Sequence, residues 1–307
     1  MSTKIKVVGI GGSGGNAISR MAKAKIKGVE LIALNTDAQD LKMTKADIKL
    51  RIGEEITQGL GTGMNPEIGK KAALESRDKI SEIIKGSDMV FVTGGFGGGT
   101  FTGAAPVVAE IAKNTGALTV AVATKPFSFE GTFRKKLAEQ GLRKLKEKVD
   151  SLIVVHNDRL SDILEPKTSV ADAFWFCDDI LRQAVSGISD LIMSPGIINV
   201  DFADVKEIMH NSGTALFGVG RARGEKRAES AARLALNSPL LNLSCKGAKG
   251  VLFNVSGGRD IALSEVEEVA QFITQEINQE ARVIFGAVLD QKIPKGEIKV
   301  TMIATGF

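Results

Sequence analysis

Tyrosine is absent from this 307-residue chain, and tryptophan occurs only once. Aromatic residues make up 5% of the sequence, which leaves too few rings for the stacking surfaces that bind single-stranded nucleic acids. The net charge is only +4, and the lysines are scattered along the chain instead of forming a basic patch. We therefore expect no nucleic-acid partner.

Cysteine is also scarce, because the chain contains only Cys177 and Cys245. The two residues are far apart and match no spacing typical of metal ligands, so we expect free thiols, a cytoplasmic location and no metal held by the protein itself. No apolar run is long enough to span a bilayer. The first residues, MSTKIKVVGIGG, lead straight into a strand pattern and do not resemble a signal peptide, so we expect no direct membrane insertion.

What the first half does contain is a regular alternation of short apolar runs and helical patterns. Most of the runs are rich in β-branched residues; they are IKVVGI, LIALN, MVFVTGG, LTVAVAT and LIVVHN. Helical patterns lie between them, for example from Pro66 to Lys85 and from Glu130 to Lys148. The alternation predicts an α/β fold with a Rossmann-like parallel sheet between helices. Ligands of such sheets bind beyond the carboxyl ends of the strands.

A long central helix follows this alternation. From Ser169 to Met193, apolar residues recur at steps of three or four, which gives one apolar stripe. We predict that Pro195-Gly196 ends this helix. At about 1.5 Å per residue, it is long enough to cross a whole domain.

The remainder, from about Asn199, is predicted to form a second and smaller α/β unit. Its strand candidates are TALFGVG, GVLFNVSG, RVIFGAVL and IKVTMIATG. Its helices are predicted to start near Glu225 and Ser264, where Ser264 and Glu267 have capping-box spacing.

The first glycine-rich loop, GIGGSGGN, runs from Gly9 to Asn16 between a predicted strand and a predicted helix. It contains Gly9-x-Gly11-x-x-Gly14, a pattern that fits a dinucleotide fold. Glycines let the backbone approach phosphate oxygens, and the helix N-terminus supplies N–H donors. A tight turn without a ligand and a nicotinamide-dependent oxidoreductase remain alternatives on this loop alone.

The second loop, GGFGGGTFTG, runs from Gly94 to Gly103 and also joins a strand to a helix. Two such loops at one edge of a sheet can surround a polyphosphate, with hydroxyl donors from Thr100 and Thr102. A single-loop dinucleotide enzyme has no use for the second loop. A third segment, from Gly59 to Gly69, is predicted to close the phosphate end, although it lacks the spacing of a P-loop.

Several motifs in order along nearly the whole chain resemble the tubulin/FtsZ family of GTPases. They are GIGGSGGNAISRM, NTDAQDL, GGGTFTGAAPVVAEIAK, TKPFSFEG and NVDFADVK. The combination is specific, whereas each motif alone is not. The resemblance implies the fold of that family: a GTP-binding domain (1–168), a central connecting helix (169–196) and a C-terminal GTPase-activating domain (197–307).

The resemblance also implies a cytoskeletal GTPase of bacterial cell division that polymerises head to tail. It implies GTP and GDP as ligands, with Mg²⁺ held mainly through the phosphates. Its partners would be further copies of itself and possible division proteins, at the division site. The phosphate-side residues that it implies are Gly11, Gly12, Ser13, Asn16, Gly97, Gly98, Gly99, Thr100, Phe101, Thr102 and Gly103.

At the sugar and base, the resemblance implies five further residues. Glu130 corresponds to a ribose contact, and Arg134 lies near it. Asn157 corresponds to a residue that reads guanine, and Phe174 to a residue that packs on the ring. Asp178 corresponds to a carboxylate that reads guanine, and a carboxylate can accept hydrogen bonds from both N1–H and the 2-amino group.

The catalytic pair implied by the resemblance is Asp201 and Asp204 in NVDFADVK. A simpler interpretation is that Asp201 caps a helix and Asp204 favours the positive end of its dipole. In the family these carboxylates reach the nucleotide of the next subunit in a filament and position the attacking water.

Two features depart from the family pattern. Phe101 stands where the family usually has glycine, so it is either strained by a positive φ, intrudes on the nucleotide or the subunit joint, or packs away from the phosphates. If it intrudes, a GTP-binding filament scaffold with weak hydrolysis is the alternative function. The sequence ends at IATGF, without the linker and peptide that recruit membrane anchors, so tethering by that route is not expected of this polypeptide.

Overall fold

The computed structural model describes residues 3–26, 28–160, 164–165, 167–193, 196–238 and 245–307. They belong to two compact units, Met1–Ser186 and Gly187–Phe307. The α/β fold predicted from the sequence is confirmed in both units. The predicted domain boundaries at 168 and 197 stay predictions.

The first unit contains the parallel sheet that the apolar runs predict. Its strands, in chain order, are β1 (Ile5–Ile10), β2 (Val29–Asn35), β3 (Ile48–Arg51), β4 (Met89–Gly95), β5 (Leu118–Lys125) and β6 (Ser151–His156). Their spatial order is β3-β2-β1-β4-β5-β6, and every neighbouring pair is parallel. The carboxyl ends of β1 and β4 are therefore side by side, and a glycine-rich loop follows each of them.

Helices connect these strands. They are α1 (Gly11–Ala24), α2 (Ala38–Met43), α3 (Glu54–Thr57), α4 (Pro66–Glu75), α5 (Arg77–Ile84), α6 (Gly99–Asn114), α7 (Thr132–Lys146), α8 (Asn157–Leu160) and α9 (Val170–Met193). The prediction of a single helical segment from Pro66 to Lys85 is wrong, because the helix is interrupted at Ser76 and a second helix begins after it. The Ser76 hydroxyl accepts a hydrogen bond from the backbone N–H of Gly53, which anchors the break.

The core of the first unit lies between the sheet and helix α6. The buried face of α6 carries small side chains, including Ala104, Ala105 and Ala109, which let the helix pack closely on the strands. Helices α4 and α6 also approach very closely, because a Cβ at Gly103 would overlap the carbonyl oxygen of Pro66. The start of α6 is thus fixed in position from two sides.

Helix α9 confirms the predicted long helix. Of the predicted apolar stripe, Cys177, Leu181, Ala184 and Ile188 are buried. The residue predicted to end the helix, Pro195, lies outside the described residues.

The second unit has a mixed sheet with the spatial order β7-β10-β8-β9. Its elements are α10 (Phe202–Met209), β7 (Gly213–Arg223), α11 (Arg227–Leu236), β8 (Gly250–Gly257), α12 (Leu263–Gln275), β9 (Arg282–Leu289) and β10 (Glu297–Thr305). Strand β10 is antiparallel to β7 and β8, whereas β8 and β9 are parallel.

The capping prediction for α12 is wrong by two residues. The helix begins at Leu263, and the carboxylate of Glu265 accepts a hydrogen bond from the backbone N–H of Ala262 at 2.9 Å. Glu265 also binds Arg227, which is 7% exposed and pairs with Asp260 as well. Glu265 therefore also takes part in a buried ion pair, which the capping-box spacing did not predict.

Among the residues that the structure describes, no helix is both long enough and apolar enough to cross a membrane.

Candidate functional site

The two glycine-rich loops lie against each other in the first unit. The Ser13 hydroxyl, in the first turn of α1, accepts a hydrogen bond from the backbone N–H of Gly95 at 2.6 Å. A Cβ added at Gly11 would lie 3.3 Å from Cβ of Thr100 in the second loop. The N-termini of α1 and α6 are therefore neighbours, so their free N–H groups can act on one anionic ligand.

Two of the predicted glycines have a backbone conformation that favours glycine. Gly11 has a φ of 70° and Gly97 a φ of 95°. Gly98 is different, since no heavy atom lies within 4 Å of where its Cβ would be. Gly11 and Gly97 therefore shape the two loops, and a Cβ at Gly98 would face open space.

The two predicted threonines differ in what they can offer a ligand. Thr100 Oγ1 lies 2.8 Å from Thr36 Oγ1 and 3.5 Å from Thr62 Oγ1. Thr102 is buried, and its hydroxyl accepts a hydrogen bond from the backbone N–H of Gly97 at 3.1 Å. Thr102 therefore holds the loop in shape, whereas Thr100 belongs to a cluster of hydroxyls. Thr62 belongs to the segment that was predicted to close the phosphate end.

The ring of Phe101 is buried in the core of the first unit, where it packs against residues of its own loop. It is 3% exposed, and its ring meets that of Phe96 edge to face with centroids 5.0 Å apart. Its φ is not positive, so the strained alternative does not apply. The missing side chain at Gly94 makes room for the ring, because a Cβ there would overlap it. The phenylalanine that replaces a family glycine is a core residue with a matching aromatic partner.

Glu130 and Arg134 lie beside the second loop. Arg134 Nη1 donates to Glu130 Oε2 at 2.8 Å, and Glu130 also accepts from the backbone N–H of Phe127 at 2.9 Å. A Cβ at Gly97 would lie 3.3 Å from Cβ of Arg134. The structure thus brings these two predicted residues next to the predicted phosphate loop.

Asn157 follows β6 at the same edge of the sheet. It is 4% exposed, and its Oδ1 has no hydrogen-bond partner among the described residues. A buried amide oxygen without a partner is costly, so this atom is a site that a donor on a ligand would satisfy. Phe174 packs its ring edge to face on Phe127, with centroids 5.5 Å apart, and is 38% exposed.

Asp178 is a buried carboxylate with one basic partner, which the sequence did not reveal. Nε of Arg20, on α1, donates to Oδ2 of Asp178 at 3.2 Å, and Nη2 lies 3.2 Å from the same oxygen. Burial raises the pKa of Asp178 to about 6, although the charge and the hydrogen bond of Arg20 act in the opposite direction. The partner is four residues after Asn16, which places both on one face of α1.

Asp201 and Asp204 belong to the second unit, at the start of α10. Asp201 is the N-cap residue of α10, as the simpler interpretation expects, and Asp204 Oδ2 accepts a hydrogen bond from the backbone N–H of Asp201 at 3.2 Å, as in a capping box. Asp201 is exposed and Asp204 is half-buried. Both carboxylates are therefore accessible from solvent at a helix N-terminus.

The loop before these carboxylates is fastened to β9. Ile197 and Ile198 donate backbone hydrogen bonds to the carbonyl of Ala287 at 2.7 and 3.2 Å, and Ala287 donates back to Ile198 at 3.1 Å. A Cβ at Gly286 would lie 3.0 Å from Cγ2 of Val200, so glycine permits the close approach. The acidic pair is thus presented on a rigid support.

Among the described residues, no group of three or more histidine, cysteine, aspartate or glutamate side chains is placed to hold a metal ion.

Comparison with known proteins covers most of the chain. Residues 4–165 match the Tubulin/FtsZ family, GTPase domain, and residues 213–307 match the FtsZ family, C-terminal domain. An empty FtsZ dimer from M. jannaschii is 47% identical with a TM-score of 0.95, covering 100% of this chain and 89% of that chain. A mutant FtsZ from the same organism is 48% identical, also with a TM-score of 0.95, covering 99% and 91%.

A more distant relative shares the fold. CetZ2 from Haloferax volcanii, solved as a GTPγS-bound protofilament, is 20% identical with a TM-score of 0.85, covering 98% of this chain and 92% of that chain.

Proposed function

The chain belongs to the tubulin/FtsZ family, a filament-forming GTPase family, and we propose that it hydrolyses GTP at a site completed by the next copy of itself. In this proposal GTP binds across the carboxyl ends of the first unit's strands. The carboxylates of Asp201 and Asp204 come from the neighbouring subunit. The division role follows from the family, while location at the division site and binding of other division proteins are parts of the proposal.

The observation that carries the proposal is the contact between the two glycine-rich loops. Because Ser13 and Gly95 are hydrogen-bonded, two helix N-termini converge on one polyphosphate. The alternative of a nicotinamide-dependent oxidoreductase rests on the first loop alone and lies outside this family.

The base would be read at the other end of the same site. Asp178 would accept hydrogen bonds from N1–H and the 2-amino group of guanine, and Asn157 Oδ1 would accept another from the ligand. Phe174 would pack on the ring, and Glu130 would contact the ribose. The side chains thus select guanine, whereas the backbone binds phosphate.

Hydrolysis needs a water molecule in line with the γ-phosphate and a group that orients it. Solvent-accessible carboxylates at the start of α10, after a segment hydrogen-bonded to β9, suit that role in a neighbouring subunit. The N–H groups at the starts of α1 and α6 would stabilise the charge that develops on the phosphate oxygens. Mg²⁺, held through those oxygens, would neutralise part of the same charge.

A head-to-tail contact of this kind joins two different surfaces, so it propagates into an open filament. Specific activity should then rise with protein concentration, because each complete site needs two molecules. The burial of Phe101 favours normal hydrolysis over the alternative of a scaffold with weak hydrolysis, since its ring leaves the phosphate loop free.

Mixing two inactive variants tests the shared site. One variant carries Asp201→Asn and Asp204→Asn, and the other carries Asp178→Asn; each should release little phosphate alone with GTP and Mg²⁺. Their mixture should regain activity, because the intact pocket of one meets the intact acidic pair of the other. Glu207→Gln, on the same helix as the acidic pair, is the matched control and should stay active. A mixture no more active than the sum of its parts would contradict the proposal.

A further inference from the structure

The guanidinium of Arg20 contacts two side chains of α9, the carboxylate of Asp178 and the ring of Trp175. The guanidinium donates to Oδ2 of Asp178, while its Cζ lies 5.2 Å from the ring centroid of Trp175. Trp175 precedes Asp178 by three residues, so both lie on the same face of α9. An aromatic ring beneath the guanidinium favours its charge and limits the rotation of the side chain.

Of the two contacts that Arg20 makes with Oδ2 of Asp178, only the one from Nε is a hydrogen bond, and no hydrogen bond to Oδ1 is found among the described residues. A carboxylate oxygen has two lone-pair sites, so Oδ2 can still accept one further donor. The carboxylate therefore keeps the two acceptors that the N1–H and 2-amino edge of guanine requires.

Helix α1 connects this pair to the phosphate loops. It begins at Gly11, whose neighbour is the second loop, and it carries Arg20 at its tenth residue. The same rigid element that places N–H groups at the phosphates thus places Arg20 at the base.

We propose that Arg20 is the positioning residue for guanine recognition, with Trp175 fixing Arg20 in place. Arg20 keeps Asp178 ionised and turned so that both oxygens can serve the base. This inference rests on the proposed function, in which Asp178 reads guanine.

The alternative to ionisation is a protonated carboxyl, which can accept only one of the two guanine donors. Burial of Asp178 favours that protonated form, and burial raises its pKa to about 6 even with Arg20 present. The charged groups that act on Asp178 are Arg20 from α1 and Asp179 from its own helix. Cys177 stays neutral in this range, because burial raises its pKa to about 12.

The experiment measures the ratio of GTP to ITP affinity between pH 5 and 9 for the wild type and Arg20→Met. ITP lacks only the 2-amino group and has the same phosphates, so the ratio cancels the titration of the phosphates themselves near pH 6. Trp175 is the only tryptophan, and its fluorescence offers one binding signal. Calorimetry offers a second signal that does not depend on Trp175.

The wild type should prefer GTP above pH 6 and lose that preference below it. In Arg20→Met, the midpoint of this loss should move up by about one pH unit or more, since a nearby positive charge lowers a carboxyl pKa by that amount. At pH 7 the preference should fall by about twofold or more, and at pH 9 it should recover. Trp175→Leu should move the midpoint in the same direction by less.

Arg182→Met is the matched control. Arg182 donates to Asp179, the next carboxylate along α9, at 2.6 Å, so its removal breaks a comparable ion pair. This variant should keep the midpoint of the wild type. In an Asp178→Asn background, Arg20→Met should have no further effect on GTP affinity, because Arg20 acts through Asp178.

An equal loss of GTP and ITP affinity at every pH in Arg20→Met would overturn the inference, since it would mean that Arg20 touches the nucleotide directly or only supports the fold. If Arg20→Met does not fold, Arg20→Gln and Trp175→Leu decide, and an unshifted midpoint in both would overturn it as well. If the wild type showed no preference for GTP over ITP at any pH, recognition of guanine by Asp178 would itself be overturned. That outcome can be distinguished from one in which only the positioning role of Arg20 is wrong.

Discussion

At the phosphate end of the proposed site the contacts come from backbone and small residues, whereas at the base end they come from charged and aromatic side chains. At the phosphate end the loops are held by their own hydrogen bonds: the backbone N–H of Gly95 donates to Ser13, and that of Gly97 donates to Thr102. The base end holds an amide oxygen on Asn157 without a partner among the described residues, and a carboxylate on Asp178 whose burial raises its pKa.

In the proposed site, this difference would divide affinity from specificity. Backbone donors fixed by close packing would bind any polyphosphate and leave little to adjust. Buried side chains with unused hydrogen-bonding groups favour a ligand that supplies the missing partners. Near analogues that lack these partners therefore bind more weakly. Variants at the phosphate end should therefore damage the fold, and variants at the base end should change which nucleotide binds.

The largest effect is expected at Gly103. A Cβ at this position would overlap the carbonyl oxygen of Pro66, so Gly103→Ala must push α4 and α6 apart. We expect a loss of about 3 kcal/mol or more in the free energy of unfolding, together with loss of GTP binding. Gly98→Ala is the control, because its Cβ would meet open space. Equal stability of the two variants in urea unfolding would contradict the close packing described here.

Phe101→Ala should destabilise the protein without changing the nucleotide site. Removing a buried ring costs about 3–5 kcal/mol, and the contact with Phe96 is lost with it. GTP affinity should change little, because the ring is buried in the core and only 3% exposed. Phe133→Ala, which removes a 62% exposed ring, should leave urea unfolding nearly unchanged. A large drop in the GTP affinity of Phe101→Ala, measured at urea concentrations where the variant is still folded, would show that the ring does act on the nucleotide.

Asp178 should make the stability of the nucleotide-free protein depend on pH. Its pKa is about 6 in the folded chain and its ordinary value is 3.8, so the folded state binds the proton more tightly. The stability gained in this way is fully present below about pH 4 and is lost as the pH rises through 6. Compared with Asp178→Asn, the wild type should lose up to about 3 kcal/mol between these limits. Parallel stability profiles for the two proteins would contradict the burial of this charge.

The smallest effect is expected from Arg134→Met. Arg134 is 42% exposed at its side chain, so its ion pair with Glu130 should contribute at most about 1 kcal/mol to the free energy of unfolding. If it contacts the nucleotide, GTP affinity should still fall by about tenfold. Lys144→Met removes a more exposed ion pair with Glu67 and should leave GTP affinity unchanged. Equal GTP affinities of Arg134→Met and Lys144→Met would show that Arg134 does not contact the nucleotide.

The difference between features set by local sequence and features set by distant side chains also determines what could be predicted from the sequence. Runs such as IKVVGI and MVFVTGG are continuous apolar strands, and the structure places them as predicted. Strand β3 escaped prediction because it has only four residues, three of them half-buried. The break at Ser76 depends on a hydrogen bond to Gly53, which is distant in sequence.

At the site, the glycine spacings revealed the phosphate loops because backbone geometry restricts which residues fit. Arg20 was not predicted, since its role depends on Asp178, which is 158 residues away along the chain. The orientation of Phe101 likewise depended on its packing against Phe96 and over Gly94, which a departure from a family motif does not reveal.

The most direct test of the account is the nucleotide preference of Asp178→Asn. Xanthine carries an oxygen in place of the guanine 2-amino group, so it needs a donor where guanine needs an acceptor. Calorimetry at pH 7.5 should show that the wild type binds GTP far better than XTP, and that Asp178→Asn reverses this preference, while Asp179→Asn does not. An Asp178→Asn variant that still prefers GTP as strongly as the wild type would contradict the account.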